Sequence, residues 1–275
     1  MKRVWRHVLT GVSALAVGGG AIAACAHDDS TLFIRNVLAP QLVSPGQVCT
    51  YTNDPTQPAI STGKLDVAFS HHYDAQFLVG SQIVPRGNPS KPATETSYLS
   101  IQGAVVRITD AQGNELKSFT RLTSATIDPA SGGAPSYAVL GTTILDQATV
   151  ESPAVLGAVV TGEVKRLVSY VHFFGQTFGG QSVESGEFAF PVDVCLGCLI
   201  TFSAQDVRHL CYDPPVNCYG NTATSTGATT LPVPCNPGQD FPIDCQQCPG
   251  VAECLTNPPP PPPSSASCIV DAGAG

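Results

Sequence analysis

The chain has 275 residues, 13 Lys and Arg against 21 Asp and Glu, and a formal charge of −8 at neutral pH. That balance argues against nucleic-acid binding and against electrostatic docking on anionic lipid. Only 12% of residues are charged, about half the usual share, so Thr, Ser, Gln and Gly supply the polar surface, as strands and turns would.

The first element is an export signal. Lys2, Arg3 and Arg6 precede an apolar stretch from Val8 to Ala24. A basic start, an apolar centre and small residues at the cut are the layout of a secretory signal peptide, here 1–24. The stretch is short for a membrane span, which needs about 20 apolar residues, and Gly18, Gly19 and Gly20 loosen a helix near its end. Ordinary cleavage after Ala21-Ile22-Ala23 is the competing reading.

Ile22, Ala23, Ala24 and Cys25 resemble the lipobox of bacterial lipoproteins: an aliphatic residue, two small ones, then Cys. The resemblance implies that the Cys25 thiol takes a diacylglycerol and that a dedicated peptidase cuts before it. Ile22 stands where that family prefers Leu. Two or three acyl chains, at about 0.8 kcal/mol per buried CH₂, give stable anchoring. In the family, Asp directly after the lipidated Cys retains the protein at the inner membrane. Ala26 holds that place, so the resemblance implies lipid anchoring at the outer membrane, with residues 25–30 as a tether. Losing Lys2, Arg3 and Arg6 leaves 10 basic against 21 acidic residues, a formal charge of −11. The sole Trp, Trp5, is lost with the signal.

Eleven cysteines are an odd number. Setting Cys25 aside leaves Cys49, Cys195, Cys198, Cys211, Cys218, Cys235, Cys245, Cys248, Cys254 and Cys268, an even set that reads as a disulfide framework in an exported protein. Cys49 stands far from the other nine, so full pairing requires it to bridge to that cluster. Cys195 or Cys198 is its expected partner, because both lie by a strand of the same domain and "GQVCTY" around Cys49 is itself strand-like.

From 31 to 203 the pattern is strand after strand. Leu65, Val67 and Phe69 alternate, and Tyr73, Ala75, Phe77 and Val79 continue the period of two. Residues 103–109 and 115–120 read as a hairpin, with Gly113 supplying positive φ in the loop. Strands are expected at 137–145, 164–174 and 187–194; in the last, Pro191 marks an edge or a bulge. In 154–170 the β-branched content favours strand over helix. Many short strands without a βαβ rhythm predict a mainly β fold, an antiparallel β-sandwich of immunoglobulin-like architecture. "VVRITDAQGNEL" (105–116) resembles hairpins of bacterial immunoglobulin-like domains.

Residues 204–257 are rich in Cys, Pro, Gly and Asn, too poor in periodic apolar residues to fold by core alone, so disulfides are expected to hold an irregular region. A Pro/Ser-rich tail follows at 258–275. Its run from Pro258 to Pro263 is expected to form polyproline II, about 19 Å long. The lipobox, β domain, Cys-rich end and Pro/Ser tail together look like uncharacterised outer-membrane lipoproteins of high-GC Gram-negative bacteria, a resemblance that carries no activity.

Several groups could carry chemistry. Cys195 and Cys198 have the spacing of a redox dithiol. That chemistry wants the first Cys at a helix N-terminus; here a strand precedes it and "LITF" follows, so the pair reads as a structural disulfide. With "CQQC" (245–248) it makes two CxxC motifs, but 46 residues lie between them, too many for a zinc ribbon. In "SHHYD", His72 and Asp74 share a strand face and His71 takes the other. Glu184 and Glu187, within the Gly-rich link 173–188, could pair as acid and base, but carboxylates near a turn are usually solvated, and the link lacks GxGxxG and a P-loop lysine. No GxSxG elbow occurs in the mature chain. No cofactor is called for. The expectation is a non-catalytic envelope lipoprotein with a binding or structural role and an unidentified envelope partner; the alternative is an exported hydrolase-type enzyme.

Overall fold

Alternation of side chains across the backbone decides most of the fold. Tyr73, Ala75, Phe77 and Val79 are all buried, as a period of two demands of a strand with one face on a core. In the computed structural model, residues 31–41, 49–87, 95–201, 235–244 and 251 are described. Their order is β1 (Leu32–Leu38), β2 (Ala59–Ile60), β3 (Gly63–Asp66), β4 (Tyr73–Ser81), β5 (Leu99–Asp110), β6 (Glu115–Ile127) and β7 (Ser136–Leu145). Then come α1 (Gln147–Val150), α2 (Leu156–Val159), β8 (Lys165–Thr177), β9 (Ser182–Glu184), β10 (Phe188–Cys195), β11 (Ile200–Thr201) and β12 (Ile243–Asp244).

The fold is mainly β. One sheet has the order β2-β1-β4-β7; the other runs β3-β10-β8-β5-β6, with β9 pairing β8. Their inner faces share one core, in which Phe77 of β4 meets Phe173 of β8 edge-on at 5.5 Å and Tyr73 packs on Phe190 of β10 at 6.1 Å. Ser169 of β8 donates to the Ile144 carbonyl of β7 across the layers (2.9 Å). The pairing is antiparallel except that β3 runs parallel to β10, and β11 to β12.

The 103–120 hairpin forms as expected between β5 and β6. Gly113 adopts φ 87°, and the Asp110 carboxylate accepts the Gln112 and Asn114 N–H groups, fixing the turn. Lys117 and Arg121 sit on β6, which pairs only with β5 among the described residues; charged side chains on such an edge discourage further strand addition. Pro191 lies one residue before β3 joins β10 at Val192↔Gly63, so it occupies a stretch that is still an edge, as its missing N–H requires.

Residues 154–160 differ from the strand expectation. α2 occupies Leu156–Val159, and β8 begins only at Lys165. Asp146 caps α1 by accepting from Thr149 N–H and Oγ1, and Lys117 pairs with the same carboxylate. Val150, Val155 and Val159 are wholly buried and close one end of the core. Gly162, with φ 91°, turns the chain back toward β8. Packing of this apolar face outweighs the modest penalty of β-branched residues in a helical turn.

Candidate functional site

The densest polar constellation among the described residues surrounds Asp66 at the end of β3. Its side chain is wholly buried. It accepts three backbone N–H groups: Ala68 (3.0 Å) and Gly197 (2.8 Å) on Oδ1, and Leu199 (2.9 Å) on Oδ2. Its own N–H donates to the Gly238 carbonyl (2.8 Å). One residue thus ties the β3–β4 turn, the CxxC turn and residues 235–244 together. A buried carboxylate is tolerable when its lone pairs are filled in this way.

Residues 235–244 form a strap across the sandwich end. Cys235 is disulfide-bonded to Cys49, with the Cα atoms 5.5 Å apart. Buried Gln239 donates to the His72 carbonyl (3.0 Å) and bridges Leu65. Asp240 accepts from Tyr73 Oη–H (2.6 Å) and Lys64 N–H (2.8 Å), while its own N–H donates to the Lys64 carbonyl. The Tyr73 ring lies over Gly63, where a Cβ would stand 2.7 Å away; glycine there lets the phenol reach the strap. Burial raises the Asp240 carboxyl above its usual range, against the lowering effect of its two hydrogen bonds. Burial and the nearby Asp240 charge raise both Tyr73 and Tyr51.

Beside these groups lies a recess of about 10 Å³, bordered by Tyr51, Tyr73, Asp74, Gln76, Gln239 and Asp240. That is the size of one water, against the several hundred Å³ of a small-molecule site.

Cys195 and Cys198 are bonded to each other, with Cα atoms 5.9 Å apart, at the end of β10. The expected bridge from Cys49 to Cys195 or Cys198 is therefore corrected. Cys49 does reach the C-terminal cluster, but at Cys235, because the strap lays that residue beside it. No strand includes Cys49; the neighbouring Thr50 makes only an isolated bridge to Gln41. Cys25, Cys211, Cys218, Cys245, Cys248, Cys254 and Cys268 lie outside the described residues, as do the tether and the proline run.

His72 and Asp74 share a face, with Nε2 and Oδ2 3.5 Å apart, and His71 turns away. His71 Nδ1 lies 2.7 Å from Glu151 and Nε2 lies 3.0 Å from the Val67 carbonyl. Ser70 Oγ stands 3.5 Å from His72 Nδ1, which lines up Ser70, His72 and Asp74. The hydroxyl, however, gives its proton to the His72 carbonyl (2.9 Å) and accepts from the His72 N–H, so it closes a turn rather than facing a base. Glu187 pairs with Arg107 (3.0 Å), whose guanidinium covers the Tyr170 ring at 4.2 Å; Glu184 lies exposed on β9. Among the described residues, no three His, Cys, Asp or Glu side chains gather as a metal site. Nor is any helix long and apolar enough to cross a membrane.

Asp66, Gln239 and Asp240 were not singled out by sequence. In "KLDVAF" the alternation puts Asp66 opposite Leu65 and Val67, on a face that would be solvated if nothing covered it.

No protein-family model matches the chain, and no curated protein matches it. A solved structure titled as Northeast Structural Genomics Consortium target SoR45 is similar over 62% of this chain and 91% of that one, at 11% identity and a TM-score of 0.27. A likeness that low carries no argument about fold or function.

Proposed function

We propose that the protein is a lipid-anchored, non-catalytic component of the cell envelope, held at the outer membrane through Cys25, with a binding or structural role toward an envelope partner. The observation that carries the reading is Ile22-Ala23-Ala24-Cys25 at the end of an apolar stretch that follows Lys2, Arg3 and Arg6. Reserving Cys25 for lipid leaves ten cysteines. Two pairs of these are bonded among the described residues, which suits an oxidising compartment.

The polar groups of the strap also fit this role. Asp66, Tyr73, Gln239 and Asp240 spend their hydrogen bonds on one another and on backbone, so they fasten the strap and present no convergent free groups to a substrate. Metabolic labelling with a palmitate analogue tests the anchor. Wild type takes label and fractionates with outer membrane; Cys25→Ser takes none and stays uncleaved or is shed. Equal label on the two proteins overturns the proposal.

A further inference from the structure

We propose that the Cys195–Cys198 disulfide is a thiol–disulfide exchange site, at which an external thiolate attacks the Sγ of Cys198. Three observations carry this, and none depends on the lipid anchor.

The two cysteines differ in exposure. Cys195 is 3% exposed at the end of β10, whereas Cys198 is exposed and Cys49 and Cys235 are half-buried. Exchange rates follow access to the attacked sulfur.

The disulfide is not what holds its turn. Asp66 grips the turn from beneath through Gly197 N–H and Leu199 N–H. Cys195 is registered opposite Asp66 in the β3–β10 ladder, and the Leu199 carbonyl accepts from Ile243 N–H of the strap (2.7 Å). Breaking the bond leaves all of these contacts in place, so the dithiol and disulfide forms share one backbone.

A place also waits for the released sulfur. Cys195 Sγ lies 3.5 Å from the Leu65 carbonyl, an acceptor for a thiol proton. Burial keeps Cys195 out of a partner's reach, while its exposure makes Cys198 the nucleophile of the pair.

The steps balance as follows. The thiolate's electron pair forms a new S–S bond to Cys198 Sγ, and the old S–S pair leaves with Cys195 Sγ, which takes a proton from water. If the attacking molecule carries a second thiol, that thiolate attacks the sulfur now joined to Cys198 and expels the Cys198 thiolate. The partner leaves oxidised by two electrons and this protein is reduced; a partner disulfide reverses the sequence. The substrate class is therefore a thiol, small or on a protein.

The exported full chain is treated with increasing reduced glutathione, or with a reduced CxxC-containing oxidoreductase, quenched in acid and mapped by mass spectrometry. Glutathione is expected to add to Cys198 and not to Cys195, with the Cys49–Cys235 bridge intact and the Gly197 and Leu199 amides still protected from hydrogen exchange. Treated instead with oxidised glutathione or the oxidised oxidoreductase, whose disulfide the remaining thiolate attacks with loss of one partner thiolate, Cys195→Ser should form a mixed disulfide on Cys198 about ten-fold more readily than Cys198→Ser forms one on Cys195. A trap with the oxidoreductase alone assigns a protein thiol; a trap with glutathione assigns a small one; both support the exchange site. Equal adducts on the two cysteines, opening of Cys49–Cys235 first, or loss of amide protection on reduction overturns it. Wild-type mapping decides the matter even if a variant fails to fold.

Discussion

Replacing Cys49 and Cys235 together by Ala removes the covalent tie that, among the described residues, joins the strap to the N-terminal part of the sandwich, and leaves neither member of that pair as a free thiol. The bond spans a sequence separation of 186 residues. A loop of that length restricts the unfolded chain by about 5 kcal/mol in the chain-entropy treatment. The strap's other attachments, from Gly238, Gln239, Asp240 and Ile243, persist in the folded state and restore none of that entropy. For a domain of this size each kcal/mol moves the melting temperature by roughly 2–4 °C, so the double variant should melt about 10–20 °C lower. Thermal unfolding followed by circular dichroism, with the Cys195–Cys198 bond confirmed intact, measures the difference. The single variant Cys49→Ala should expose a thiol at Cys235 and none at Cys195 or Cys198. A melting point within about 3 °C of wild type, or a new thiol at Cys195, would refute the pairing and the entropy argument built on it.

Asp66→Ala leaves three backbone N–H groups without their acceptor and should destabilise the fold by about 3 kcal/mol or more; a loss under about 0.5 kcal/mol in denaturant titration would contradict the hub assigned to it. The folded-state pKa of Asp240 is raised by burial, so its contribution is full at low pH and is lost as pH rises from about 4 through that raised value. The Asp240→Asn variant should therefore gain on wild type as pH increases over that window, and a stability difference that is flat with pH would exclude the assignment. Val159→Ala should cost about 2 kcal/mol, because the side chain is wholly buried at the end of the core. A neutral effect would mean that the α2 turn does not close the core.

The hairpin around Gly113 was legible because two independent signals agree there: a period of two in residues 103–109 and 115–120, and an Asp-to-Asn turn that needs positive φ. The buried row from Tyr73 to Val79 was legible for the same reason. The α2 turn was read as strand because Val155, Val159 and Val160 carry strand propensity, which outweighed the four-residue spacing of Val155 and Val159; α1, with its Asp146–Thr149 cap, drew no reading. Asp66 did not stand out because alternation reports which face a residue takes and not what later covers that face; the cover comes from Gly197, Leu199 and Gly238, far along the chain. The same limit hid the partner of Cys49. Parity and isolation pointed to the C-terminal cluster, but the choice of Cys235 depends on how the strap crosses the sandwich. Its Pro, Gly and Cys composition has no period to read, and its attachments are hydrogen bonds to Lys64, Tyr73 and His72.

The lipid on Cys25 is tested most directly by the mass of the N-terminal peptide from membrane-extracted protein. The account predicts a peptide that begins at Cys25 and carries a diacylglycerol thioether. A mature chain that begins at Ala24, with Cys25 unmodified or joined in a disulfide, would contradict it.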